Sequence, residues 1–225
     1  MAAGKSSRTG GEDLKQFTLI NGKMLLEFSL DVFQEHPRID EIILVLPEPY
    51  LRKEDMLNYL FGKYPKLNRV LAGGRERYLS VWNAVQLFEG RKDANLLVHD
   101  AARPCVTPGL IDALLDALDH NRGAVPAIPV TDTLVRANRY RKVAGVLDRQ
   151  GLYRAQTPQA FRADVLYAGY EALLADGAFT PTDESGVVSR YTPDVTIRLV
   201  PGDPGNFKVT VEEDLQRCPF ALAGR

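Results

Sequence analysis

The sequence is poor in residues that hold metals or make crosslinks. It has 2 cysteines and 3 histidines in 225 residues. Cys105 and Cys218 stand far apart, and His36, His99 and His120 are scattered, so neither a zinc motif nor a disulfide framework can be drawn. This cysteine usage points to a reducing compartment, the cytoplasm. Neither sign of charge is in excess: 28 basic against 29 acidic residues leave a formal net charge of −1. There is no global field to draw in nucleic acid or an anionic membrane, so an anionic ligand must be gripped by local positive charge. No apolar run approaches the roughly 20 residues that cross a bilayer. No Gly-x-Gly-x-x-Gly with a downstream acid is present, which weighs against a dinucleotide-binding dehydrogenase. No Ser/His/Asp set, Cys/His pair or glycosidase-like carboxylate pair can be placed.

What is present is ordinary globular composition, 45% hydrophobic and 25% charged, in a chain sized for a single domain over residues 1–225. Its most distinctive stretch is the first fifteen residues, small, Gly/Ser-rich and basic. Gly4, Gly10 and Gly11 let backbone N–H groups approach a ligand closely, and runs of such groups bind phosphates. Arg8 and Lys15 add two positive charges, one suited to bidentate contact and one a mobile point charge. A phosphate-binding glycine loop ordinarily follows a buried strand. Here Met1 sits almost on the loop, and the expectation is that a first strand ahead of it is missing.

Past the loop, Phe17–Ile20 is a short apolar run ending in the turn signal Asn21-Gly22. Met24, Leu25, Phe28, Val32 and Phe33 recur at near-helical spacing. Ile42–Leu46 reads as a buried strand, 52–64 as a helix and Val70-Leu71 as a short strand running into Gly73-Gly74. Leu79–Val85 is an amphipathic helix. Leu96–Val98 is a strand that ends in His99-Asp100, where open α/β sheets bind ligands. Thr107-Pro108 opens a helix as N-cap and first helical residue. Ala124–Val130 is strand-like. Residues 131–154 then break the βα rhythm with alternating basic and apolar residues, which reads as a projecting hairpin or arm that packs on a second subunit. Helices follow at 165–174 and from 182, strands at 195–200 and 207–210, and a terminal helix at 211–218. The repeating β-α order predicts one α/β domain, a mostly parallel twisted sheet with helices on both faces.

The polar residues expected at the strand ends are cationic or hydroxylic: Arg8, Lys15, Arg103, Thr133, Arg149, Thr157 and Lys208, with Asp100 and Asp183 as acids. Many cations with little acid–base machinery suit phosphoryl or nucleotidyl transfer, where the work is positioning and neutralising charge. Mg²⁺ held mainly by the substrate's own phosphates fits such a site, with no dedicated metal ligands in the protein.

Eight segments then carry a resemblance in register. Ala2–Arg8 with Lys15-Gln16-Phe17 is similar to the nucleotide-binding loop of 2-C-methyl-D-erythritol 4-phosphate cytidylyltransferases. Gly73-Gly74-x-x-Arg77-x-x-Ser80-Val81 resembles that family's second signature, and Val98–Pro104 its most recognisable segment. Pro129–Thr133, Asp148-Arg149, Gln156–Phe161, Thr182-Asp183-Glu184 and Gly205–Thr210 follow in the family's order. The resemblance implies a nucleotide-diphospho-sugar transferase-like, Rossmann-like fold, and cytidylyl transfer from CTP to methylerythritol phosphate in non-mevalonate isoprenoid synthesis. By motif position, Arg8, Lys15 and Lys208 would be catalytic. Ala3, Gly4, Gly74, Ser80 and Asp100 would bind CTP. Asp100, Arg103, Thr133, Arg149, Thr157 and Thr182 would bind the acceptor, with Arg149 and Thr157 near the arm reaching the partner's substrate in a homodimer. The family usually has Gly where this chain has Ser6, and Pro where it has Leu14. Ribitol or glycerol phosphate as acceptor, or a non-catalytic dimeric module, are the alternatives that the same residues leave open.

Overall fold

The computed structural model describes residues 1–4 and 14–223. After a 3₁₀ turn at Lys15–Phe17 come β1 (Leu19–Ile20), β2 (Lys23–Met24), α1 (Leu25–Glu35), β3 (Ile42–Leu46), α2 (Glu54–Lys63), β4 (Leu67–Ala72), α3 (Arg77–Val85), β5 (Asn95–Val98) and α4 (Pro108–Leu118). The second half holds β6 (Gly123–Pro129), β7 (Leu134–Ala137), β8 (Val143–Leu147), β9 (Tyr153–Ala155), β10 (Gln159–Arg162), α5 (Ala163–Asp176), α6 (Glu184–Tyr191), β11 (Ile197–Pro201) and α7 (Glu212–Ala223). Local chemistry sets many of these bounds. The β1–β2 turn uses Asn21 and Gly22, both at positive φ, as Asn-Gly hairpin turns require. Thr107 caps α4 by accepting from Leu110 N, with Pro108 in the first turn. Asp183 caps α6 by accepting from Gly186 N at 3.0 Å.

The main sheet runs β11-β6-β10-β5, with β9 paired to the far end of β6. It is mixed rather than mostly parallel. β6 and β11 are parallel, but β10 is antiparallel to both β5 and β6. The reason is the arm: the chain leaves the sheet at the end of β6 and re-enters at that same end, so β10 must run back down. Alternation then assigns the faces. Ala124, Ala160 and Val200 pack on Leu110, Leu114 and Leu118 of α4. Their neighbours Val125 and Phe161 pack on the opposite side with Val81 and Val85 of α3, Leu166 and Leu173 of α5, and Val187 of α6. Helices therefore cover both faces, as expected. Gly123 is required by this packing, since a Cβ there would lie 2.6 Å from the Phe161 ring. Residues 207–210 form no strand; Val209 N donates to Ala102 O at 2.8 Å, and the segment is otherwise held through side chains.

The arm is a β7–β8 hairpin, antiparallel, with Leu134 opposite Leu147 and Val135 opposite Val146. It carries Val143 and Val146 at 68% and 67% exposure.

β3 and β4 form a separate parallel pair. Among the described residues, the facing edges of β3 and β5 are joined by Met1 and Ala2. Ala2 N donates to Val45 O (2.8 Å), the Met1 amino group to His99 O (2.7 Å), and Ala101 N to Met1 O (3.0 Å). Below this seam a cavity of about 600 Å³ runs between the strands, lined by Leu30, Phe33, Leu44, Val85, Leu96 and Leu97 among others.

His99, buried at the end of β5, ties the layers together. Its Nδ1 lies 3.2 Å from Thr157 Oγ1, and its Nε2 lies 3.0 Å from Arg103 O and 3.3 Å from Ser29 Oγ of α1. These partners suit the neutral ring protonated at Nε2, which donates to the carbonyl while Thr157 donates to Nδ1. Burial, and then the nearby amino terminus, push its pKa down to about 3.

Two predictions follow from this architecture. Adding five β-branched residues ahead of Met1 extends the seam into the apolar cavity and raises the melting midpoint by about 4 °C or more, the shift expected of ~1–2 kcal/mol in a chain of this size; a Gly/Ser extension of equal length gives no such rise. For His99, the unfolded chain takes up a proton below pH 6.5 that the folded chain refuses until about 3. Stability is therefore full above 6.5 and falls as the pH drops, at up to about 1.4 kcal/mol per pH unit. Urea midpoints of His99→Asn will fall less steeply than those of the unaltered protein from about pH 6.5 to about pH 4.5; parallel slopes would exclude His99 as the source.

Candidate active site

A cavity of about 580 Å³ opens at the C-terminal ends of the strands, and Ala3, Gly4, Lys15, Gly74, Ser80, Asp100 and Lys208 all line it. Seven of the residues singled out in the sequence, from five segments of the chain, are thus brought to one cavity. Its floor is built by close backbone approach. A Cβ on Gly73 would lie 2.2 Å from Ala3 Cβ, and one on Gly74 would lie 2.5 Å from Leu79 Cβ. Gly74 N donates to Ser80 Oγ (3.0 Å), whose hydroxyl donates onward to Glu76 O (3.1 Å). Ser80 therefore braces the 73–76 turn. Gln16, buried, donates from Nε2 to Ala2 O (2.6 Å) and Gly4 O (3.2 Å), and so shapes the start of the glycine loop. Lys15 Nζ donates to Thr210 O at 2.9 Å. That contact holds one cation beside the segment that carries the other, Lys208.

Asp100 is the electrostatic centre. It is 8% exposed. Its Oδ1 accepts from Arg77 Nε (3.0 Å) and its Oδ2 from Lys208 Nζ (2.8 Å). Burial opposes ionisation here, but Arg77 and Lys208 outweigh it and hold the carboxyl well below the usual carboxylate range. Lys208, with its side chain 43% exposed, presents its remaining donors to the cavity mouth. No hydroxyl or imidazole stands ready as a nucleophile among the described residues lining the cavity: Ser80 is engaged in its turn, Thr210 Oγ1 donates to Asp214 Oδ2 at 2.8 Å, and His99 lies beneath the floor. The arrangement can bind and neutralise an anion.

The other predicted residues fall into three groups. Thr157 is buried and lies under Asp100, not on the arm; its Oγ1 accepts from Asp100 N at 3.0 Å. The earlier expectation that it reaches a partner's substrate is corrected by that burial. Arg103 sits beside the site, donating from one terminal nitrogen to Asn206 O at 2.8 Å. Its Nε is buried without a partner among the described residues. Thr133, Arg149 and Thr182 are exposed and do not line the cavity. Arg149 is tied to Thr131 O at the base of the arm. Arg8 lies outside the described residues, as does Ser6.

Arg77, Glu184, Gln16 and His99 matter to the geometry and were not singled out as site residues by sequence. Arg77 stands in the sequence only as part of the Gly73–Val81 signature, yet all three of its guanidinium nitrogens meet carboxylates. Spacing within the motif identifies the residue but not which way it turns.

The family model described as IspD, 2-C-methyl-D-erythritol 4-phosphate cytidylyltransferase, matches residues 1–223. A protein of that name from Mannheimia succiniciproducens is 38% identical over 226 residues, covering 99% of this chain and 93% of its own. One from Thermobifida fusca is 36% identical over 220 residues, covering 96% and 88%. Among solved structures, the 4-diphosphocytidyl-2C-methyl-D-erythritol synthase of Anaerococcus prevotii superposes with a TM-score of 0.79 at 30% identity, covering 93% of this chain and 92% of its own. The chain belongs to the 2-C-methyl-D-erythritol 4-phosphate cytidylyltransferase family.

Proposed function

We propose that this chain transfers the cytidylyl group of CTP to 2-C-methyl-D-erythritol 4-phosphate, releasing pyrophosphate, in isoprenoid precursor synthesis. The observation that carries the reading is the convergence of Lys15, Lys208 and the backbone of residues 2–4 on one cavity in a chain of this family. An oxygen of the acceptor phosphate attacks the α-phosphorus of CTP as the bond to pyrophosphate breaks. Negative charge gathers on the α-phosphate oxygens, and fixed cations stabilise it most where water is excluded. Lys15, Lys208 and Arg8 supply those cations. Ala3, Gly4, Gly74 and the turn braced by Ser80 cradle the nucleotide. Arg103, with a buried N–H lacking a partner among the described residues, receives the acceptor phosphate beside Asp100; Thr182 and Thr133, exposed outside the cavity, join it by motif position alone.

Mg²⁺ fits the site only as a companion of the triphosphate. Among the described residues, Asp100 and Glu76 are the acidic side chains lining the cavity, and both oxygens of Asp100 are already taken by cations. When bound, the metal neutralises phosphate charge; the chain's own part is to orient the nucleotide. The working unit is a homodimer through the arm at 131–154, in the cytoplasm. The support for the dimer is the row of exposed apolar side chains on the hairpin, Val135, Val143 and Val146, which a second copy would cover, with Arg149 reaching across.

The deciding experiment is pyrophosphate release from CTP and Mg²⁺ with methylerythritol phosphate and ribitol phosphate offered in parallel. Release with the first alone is expected; release with the second alone would overturn the acceptor, and silence with both would overturn the reaction. Lys208→Ala and Arg8→Ala should each lower kcat by about a hundredfold or more while changing the KM for CTP far less, as expected of groups acting mainly in the transition state. In sedimentation, Val146→Asp should shift a dimer towards monomer; a monomeric unaltered protein would remove the arm from the mechanism.

A further inference from the structure

The charges of the cavity continue into the core. Lys208 at the mouth donates to Asp100, and Asp100 accepts from Arg77 Nε. The two terminal nitrogens of Arg77 meet Glu184, at 2.6 Å to Oε1 and 3.1 Å to Oε2, and one of them also stands 3.0 Å from Asp100 Oδ1. Glu184 is fully buried, and its Oε1 also accepts from Tyr170 OH at 3.2 Å. The charges alternate from core to mouth: Glu184 negative, Arg77 positive, Asp100 negative, Lys208 positive.

This order has a consequence for the outermost member. A buried carboxylate whose sole cation was Lys208 would hold that ammonium in a tight pair, because the low local dielectric strengthens every charge contact. A phosphate would then have to pull the lysine away from it. With Arg77 bonded to the other oxygen, the charge of Asp100 is shared between two cations, and Lys208 stays oriented but releasable. Arg77 can do this only because Glu184 balances its second charge contact in the core; an unpaired buried guanidinium would be costly. Lysine cannot substitute in full, since one ammonium has no planar fork to span two carboxylates.

We propose that Arg77 and Glu184 are positioning residues, which fix the Asp100 carboxylate and so set how firmly it holds Lys208 for the reacting phosphate. The inference rests on the role given to Lys208 in the proposed transfer. It assigns catalytic importance to two side chains that touch no substrate in that scheme.

The test compares Arg77→Met, Arg77→Lys and Glu184→Gln with the unaltered protein, at a temperature where each is folded. Two measurements are made: steady-state kinetics across pH with CTP and methylerythritol phosphate, and a carboxyl-carbon NMR titration of Asp100, assigned by its loss in Asp100→Asn. In Arg77→Met, kcat should fall about tenfold or more with the KM for CTP within about threefold, the signature of an interaction used beyond ground-state binding. The acid limb of kcat and the Asp100 titration should both move to higher pH. Arg77→Lys should recover part of the loss, and Glu184→Gln should lie between. Should Arg77→Met not fold, the two volume-conserving variants decide. Variants that melt lower but keep kcat, pH profile and Asp100 titration unchanged would overturn the proposal and leave the network a structural brace. If the unaltered protein turns over neither acceptor while the Asp100 titration still follows Arg77, the positioning role stands and the transfer reading falls.

Discussion

Keeping Asp100 charged while it is 8% exposed is the constraint on which the upper half of the molecule depends. A buried carboxylate without compensation costs several kcal/mol, so partners must arrive from elsewhere in the chain. They come from four places. Arg77 is delivered by the first turn of α3 and Lys208 by the segment after β11, while Thr157 receives the Asp100 backbone N–H from below. Glu184 balances Arg77 from the first turn of α6, an end of a helix that favours an acid. The antiparallel course of β10 makes this possible. It sets Gln159 beside Val98, and Gln159 in turn grips Asp183 Oδ2 and Ser185 N, fixing where α6 begins. Fold and site are therefore one construction, with the mixed sheet aligning the start of α6 to the end of β5.

Much of this was legible where the signal is local. Thr107-Pro108, Asn21-Gly22 and the strand ending at His99-Asp100 each carry their own chemistry, and each element stands where that chemistry predicts. The cavity could be read because glycine loops and cations after strand ends have few other uses when they occur together. Strand direction could not be read in the same way. Gln159–Arg162 has the same residue pattern whichever way it runs, and only the topology of the arm reverses it. Residues 207–210 look like a strand by composition, yet the position beside them is taken by the 99–103 turn, with which they share a single backbone bond at Val209. Thr157 and Arg77 show the same limit at the level of side chains. Arg77 and Glu184 are separated by 107 positions, and no periodicity spans that distance.

The two sheets meet through very little. Among the described residues, three hydrogen bonds made by Met1 and Ala2 join the edge of β3 to the end of β5, and Ala3 and Gly4 follow directly from that seam. Gln16 secures the loop from the other side through Ala2 O and Gly4 O. Gly73 lets Ala3 approach where any side chain would collide. The placement of the backbone of residues 2–4 is thus inherited from a short run of contacts above the cavity of about 600 Å³.

Atoms lining a cavity forgo dispersion contacts on one side. The side chains around that cavity consequently have fewer packing partners on one side, whereas the Asp100 network beside it is held by four charged groups in sequence. Such a site divides its labour unevenly. Asp100 and Arg77 are set by long-range charge pairing, and the backbone of residues 2–4 by strand-like hydrogen bonds to Val45, His99 and Ala101. In the proposed transfer, where displacing a donor by even an ångström is costly, the seam at Met1 and Ala2 sets the backbone of residues 2–4 and the Asp100 network sets Lys208, so the two must keep one register across the cavity.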